Sequence, residues 1–221
     1  SRKFETLHNS VDCSASKLAV YNRLSLVEDY DTIVDVSLGE LQSSMAKAAL
    51  GKPTGPDGIQ LEHLVTCSNH ALAIVADSIT HLLNGGFPST SKVLNDCYVI
   101  PLVKDAAGDL SACDNYRGIA LISCFSKIIE YVVIFRLGTK LDTSPNQFGF
   151  KRDSSTVQAV AILKTAVRNF NNNSSPVYAC FVDARKPFDR VNACKVIDLL
   201  LDRDTPHYIC MFLFVWYSNS T

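Results

Sequence analysis

No stretch of 18 apolar residues occurs in the chain, so no segment of it reads as a membrane-spanning helix. The most apolar segment, Tyr208–Tyr217, is too short to cross a bilayer and reads as a buried helix. A signal-peptide pattern is missing too; the sequence opens on Ser1, which suggests a piece of a longer chain. The eight cysteines contain no C-x-x-C pair, and no histidine lies at finger spacing, so a zinc site is not expected. Most of them stand in apolar contexts, as reduced core cysteines do. With no secretory signal, the expected compartment is intracellular, nucleus or cytoplasm. Excess positive charge is also lacking: the net charge of −1 argues poorly, by itself, for a nucleic-acid binder. The balance is uneven, however. Residues 1–100 carry 7 basic and 11 acidic side chains, and residues 101–221 carry 14 and 11. A phosphate-facing surface should come from the second half.

What is present is apolar material enough for a core: 47% of the 221 residues are hydrophobic. Residues 1–35 are weakly patterned; Leu18, Tyr21, Leu24 and Val27 have helical spacing but no evident partner, which predicts a loose N-terminal arm. Ser37-Leu38-Gly39-Glu40 is a capping box opening a short helix with Leu41 and Met45 inward. Gly51-Lys52-Pro53-Thr54-Gly55-Pro56-Asp57-Gly58 must be a rigid turn, with prolines fixing φ and glycines free to take positive φ. Helices are predicted over 60–66 and 69–84. Strands are predicted over 96–104 and 117–122, making a hairpin with Lys104 near its tip and Arg117 on the return arm. Pro101 cannot donate to a central ladder, so its strand belongs at an edge. Helices follow at 126–137, after a cap at Ser154 or Ser155, at 193–201 and at 206–217.

The stretch Tyr178–Val191 is unlike its surroundings. Its apolar lead into Asp183 reads as a strand buried on both faces. A buried carboxylate is costly unless it is paired or metal-bound. Asp183 is therefore expected either at the strand's exposed C-terminal end or on a cation. Pro187 stops the strand, and Asp189 or Asn192 can cap the next helix.

Phe181-Val182-Asp183-Ala184-Arg185-Lys186-Pro187-Phe188-Asp189-Arg190-Val191-Asn192 resembles the first catalytic motif of reverse transcriptases from non-LTR (LINE-type) retrotransposons. Four upstream stretches fit the same family in the same order: GKPTGPDGI at 51–59, the VIPLVKD and DNYRGIALIS pair within 99–123, KIIE at 127–130, and QFGFKRDSST at 147–156. The resemblance covers roughly residue 36 to the end. It implies an α+β fold, the fingers and first part of the palm of a right-hand polymerase, with a fingers hairpin and a central palm strand. Three regions follow: an N-terminal arm (1–35), a fingers-like region (36–175) and an incomplete palm (176–221).

The resemblance also implies roles. Asp183 is the catalytic Mg²⁺ ligand, helped by the carbonyl of Ala184, as part of a two-metal site. Lys104 and Arg117 grip the triphosphate of an incoming deoxynucleotide, with Arg185, Lys186 and Phe188 also on the nucleotide side. Phe188 would pack under the deoxyribose and reject a 2′-hydroxyl; read without the family it is a core phenylalanine. Lys52, Gln147, Lys151 and Arg152 face an RNA template and a nucleic-acid primer, although Gln147 reads equally as a bond to the backbone of a neighbouring loop. Family members usually have alanine where Pro187 stands, so one backbone phosphate donor is absent here. The paired aspartates that complete the family's metal site fall beyond Trp216-Tyr217, so the chain is expected to be truncated before them and inactive alone. The alternative is a non-catalytic remnant or co-opted RNA-binding module.

Overall fold

The computed structural model describes residues 14–26, 34–86, 92–151, 153–184 and 187–218. In chain order its elements are α1 (Ser14–Ser25), α2 (Leu38–Met45), α3 (Leu61–Val65), α4 (Asn69–Leu83), α5 (Lys92–Asn95), β1 (Cys97–Val103), β2 (Tyr116–Ile122), α6 (Cys124–Leu137), α7 (Thr156–Asn172), α8 (Ala193–Leu201) and α9 (His207–Ser218). They fall into two units, Ser1–Lys140 with Val191–Thr221, and Leu141–Arg190. None of the helices is long and apolar enough, among the described residues, to cross a membrane.

Most helices begin where a side chain can accept an orphan N–H of the first turn. Ser37, Ser68, Ser123 and Asn192 each accept from the residue three positions on. In the first unit these helices bury one continuous apolar set. The central helix α6 contributes Ile128, Ile129, Val132 and Val133, α4 contributes Leu72, Ala76, Ile79, Leu82 and Leu83, and α9 contributes Ile209, Cys210, Phe212 and Phe214. Helix α2 packs on α4 and α6, and α8 packs on α9. Arg136 of α6 ties this body together. Its Nε and Nη2 reach the two carboxylate oxygens of Glu40 at 2.6 and 2.7 Å, and Nη2 also donates to the Asp35 carbonyl. Both side chains are nearly covered, at 13% and 14% exposed. The Glu40 hydrogen bonds hold the Arg136 guanidinium above its ordinary pKa.

Helix α1 is not the loose element that its spacing suggested. Val20 and Leu24 are buried, while Leu18 and Tyr21 face out. The helix packs on α8 and α9. Long-range polar contacts set its rotation: Arg23 pairs with Asp198 and, at 2.9 Å, with Asp202, and His207 Nε2 donates to the Leu24 carbonyl at 2.7 Å. The ring of Tyr21 lies 6.2 Å from that of Phe214.

Strands β1 and β2 pair antiparallel with Ile100 opposite Ile119, Pro101 opposite Gly118 and Leu102 opposite Arg117. Among the described residues the sheet has two strands, so β1 is an edge there and tolerates its proline. The described residues are thus helix-rich with one antiparallel hairpin, an α+β composition.

The second unit holds α7, opened by a capping box in which Ser155 and Gln158 exchange side-chain-to-backbone bonds, and the helix buries no residue. The expected central strand is not formed. Residues 175–184 are irregular, and Tyr178, Phe181 and Val182 are 91%, 82% and 93% exposed. A strand exists only with a ladder partner. Among the described residues the one ladder is β1–β2, and Tyr178–Val182 has no strand beside it.

Candidate functional site

The hairpin tip is built by side chains satisfying backbone. Asn115 accepts from Asp105 N at 3.0 Å and donates to the carbonyls of Asp105 and Asp109 at 2.8 and 3.2 Å. Asp109 accepts from the hydroxyl and the N–H of Ser111, which hold its carboxyl below the usual range. Lys104 bonds Asn115 O through its backbone N–H at 2.8 Å, and its Nζ donates to the Asp114 carbonyl at 2.6 Å. Side chains alternate along a strand, so continuing the register one residue past β1 puts Lys104 on the face that carries Leu102 and Arg117. Two exposed cations thus share one face of a ribbon, a geometry suited to phosphate oxygens.

Lys52 is exposed beside a shallow cleft lined with it by Pro53, Ile59, Ile122, Lys127 and Ile128. In the sequence Lys127 stands only within the helix motif KIIE; its proximity to Lys52 depends on tertiary placement. Asp57 was likewise read only as a turn residue. Its Oδ1 accepts from Ile59 N at 3.2 Å, and its Oδ2 accepts from Cys124 N at 3.0 Å, in the first turn of α6.

In the second unit, residues 144–151 form a self-bonded loop. Gln147 donates to Gly149 O at 3.0 Å, within its own loop and not to a neighbouring one, and Lys151 Nζ reaches Ser144 O at 3.3 Å. Asp183 and Ala184 are exposed on the irregular segment, and Asp183 has no hydrogen-bond partner among the described residues. Phe188 is no core residue. It is 73% exposed and meets Phe150 edge-on at 5.9 Å. Arg152, Arg185 and Lys186 lie outside the described residues. Lys104 and Arg117 belong to the first unit, and Asp183, Ala184 and Phe188 to the second.

A divalent cation such as Mg²⁺ takes hard oxygen ligands, often one or two carboxylates beside phosphates and water. The Asp183 carboxylate and the Ala184 carbonyl fit as one side of such a site. Among the described residues no group of three or more His, Cys, Asp or Glu could hold a metal.

No family model matches the chain. Its curated homologues are nevertheless reverse transcriptase/polymerase proteins of non-LTR retrotransposons. One is the Retrovirus-related Pol polyprotein from type-1 retrotransposable element R2 of Popillia japonica, 28% identical over 133 residues, which is 58% of this chain and 18% of that protein. Another is the RNA-directed DNA polymerase from mobile element jockey of Drosophila melanogaster, 27% identical over 162 residues, 71% of this chain and 17% of that protein. The chain therefore matches less than a fifth of either relative's length.

Proposed function

We propose that this chain is the fingers and first part of the palm of a right-hand reverse transcriptase from a non-LTR retrotransposon. In the intact protein it would copy an RNA template from a nucleic-acid primer, using deoxynucleoside triphosphates. Two Mg²⁺ ions, when bound, stabilise the attacking 3′-oxygen and the leaving pyrophosphate. Asp183 and the Ala184 carbonyl hold metal; Lys104, Arg117, Arg185 and Lys186 contact the triphosphate; Phe188 lies against the sugar; Lys52, Gln147, Lys151 and Arg152 line the template and primer backbone. The observation that carries the reading is the homology to a protein named as an RNA-directed DNA polymerase, together with an exposed Asp183 in the stretch that resembles the family's first catalytic motif. A single carboxylate does not make a two-metal site, so this chain alone should not extend a primer.

The test is Mg²⁺-dependent primer extension on an RNA template by a complete polymerase carrying this region. Asp183→Ala should abolish extension, a loss on the order of 1,000-fold given several kcal/mol of lost charge stabilisation. Retained extension would refute the role of Asp183. In the same assay Pro187→Ala restores a backbone donor for a charged phosphate, worth about 1.5–3 kcal/mol, and should lower the nucleotide KM.

A further inference from the structure

A polar joint stands at the base of the hairpin. Three segments meet at the start of α6. The Gly55–Gly58 turn closes on itself, Gly58 N donating to Gly55 O at 3.1 Å. Gly55 is buried so tightly against the end of β2 that a Cβ there would stand 2.4 Å from Ile122 O and 2.7 Å from Ser123 N. Both contacts are backbone, which cannot step aside as a side-chain end does. Asp57 completes the joint by spanning two amides. One carboxylate oxygen closes its own turn at Ile59, and the other takes the N–H of Cys124, the first residue of α6. A carboxylate at a helix N-terminus also complements the helix dipole. The entry to the hairpin is pinned at the same point: Ser126 Oγ donates to Leu94 O, just before β1, and Ser123 Oγ accepts from Ser126 N at 3.0 Å.

We propose that Asp57 is a positioning residue for the β1–β2 arm. Through Cys124 and the Gly55 contact, it fixes the angle at which the ribbon carrying Lys104 and Arg117 leaves the helical body. The consequence for nucleotide binding rests on the polymerase reading above; the structural joint does not. Asp57 touches no ligand in this role and acts through the backbone it holds.

Amide hydrogen exchange on the full chain tests the joint. Asp57→Ala should speed exchange at Ile59, at Cys124 and along the hairpin at least tenfold, while α4 and α9 keep wild-type protection. Asp57→Asn keeps one acceptor oxygen, so it should restore protection at only one of the two amides. Ser37→Ala, which removes a cap elsewhere, should leave the hairpin unchanged. Unaltered hairpin exchange in Asp57→Ala, or equal acceleration in every helix, would overturn the proposal. In a complete polymerase, Asp57→Ala should raise the nucleotide KM at least fivefold with kcat within twofold of wild type. An unchanged KM would overturn the link to nucleotide binding. A wild-type polymerase with no extension activity would defeat the functional reading, yet the exchange experiment would still decide the joint.

Discussion

Leu41, Val132 and Ile209 in the helical body are wholly or almost wholly shielded from solvent, whereas Val157 and Val182 in the Leu141–Arg190 unit stay 74% and 93% exposed. The two regions have similar local signals. Each opens helices on serine caps, and each contains apolar runs of strand-like composition. What separates them is partners. In the body, α2, α4, α6, α8 and α9 cover one another's apolar stripes. In the second unit, α7 stands on its capping box and its 17-residue length, and the Tyr178–Val182 run has no ladder. Local chemistry is enough to start a helix but cannot make a strand. The residue proposed as the metal ligand thus lies in the region with less support of its own.

The contrast can be broken most sharply with cysteine chemistry. Burial pushes the Cys210 thiol up to about 11, while Cys180 is exposed in the irregular segment. The thiolate is the reactive form, so Cys210 should be alkylated on the order of 100-fold more slowly than an ordinary exposed thiol. Native labelling with iodoacetamide, read by mass spectrometry, should mark Cys180 early and Cys210 last. Protection of Cys180 would mean that 175–184 is covered in solution, and the difference between the regions would vanish. Arg136→Ala strands the nearly covered Glu40 and should cost about 3–5 kcal/mol in urea unfolding; a loss under 1 kcal/mol would show the pair to be peripheral. Leu41→Ala should cost about 2–5 kcal/mol, while Val157→Ala should fall within about 0.5 kcal/mol. Equal losses would show that α7 is packed as the core helices are.

The smallest effect is a pH dependence in the body. Hydrogen bonding to Arg23 holds the Asp198 carboxyl below its ordinary pKa. The folded value is lower than the unfolded one. The contribution is therefore complete above about pH 4 and fades as pH falls through the folded value. Protection of the α1 amides, taken relative to the intrinsic exchange rate at each pH, should fall with acid before that of α4, and Asp198→Asn should remove that early step. An early step that persists in Asp198→Asn would assign it to another group.

Where a signal was local, the sequence was legible. The cap at Ser37 placed one helix start, the alternatives Ser154 or Ser155 and Asp189 or Asn192 each included the cap that forms, and Pro101 placed its strand at an edge. Where the deciding contact was distant, it was not. The spacing Leu18, Tyr21, Leu24 could not show that Val20 turns inward beside Leu24 while Leu18 and Tyr21 face out, because the partners of this helix lie far along the chain, Asp198 being 175 residues from Arg23. Asp57 looked like any turn aspartate because its second partner, Cys124, is 67 residues away. The run into Asp183 had the composition of a buried strand, but composition does not supply the neighbour. The hairpin that carries Lys104 and Arg117 was legible because its register is set by short-range pairing.

The seating of α1 also governs how this protein can be shortened. Val20 and Leu24 sit against the flank of α8 and α9, and Arg23 neutralises two aspartates there. A version begun near residue 36, at the edge of the family resemblance, would bare that greasy flank and take the Arg23 guanidinium away from Asp198 and Asp202. Anyone trimming the gene for expression should keep residue 14 onward, since the front end serves as a plug for the back.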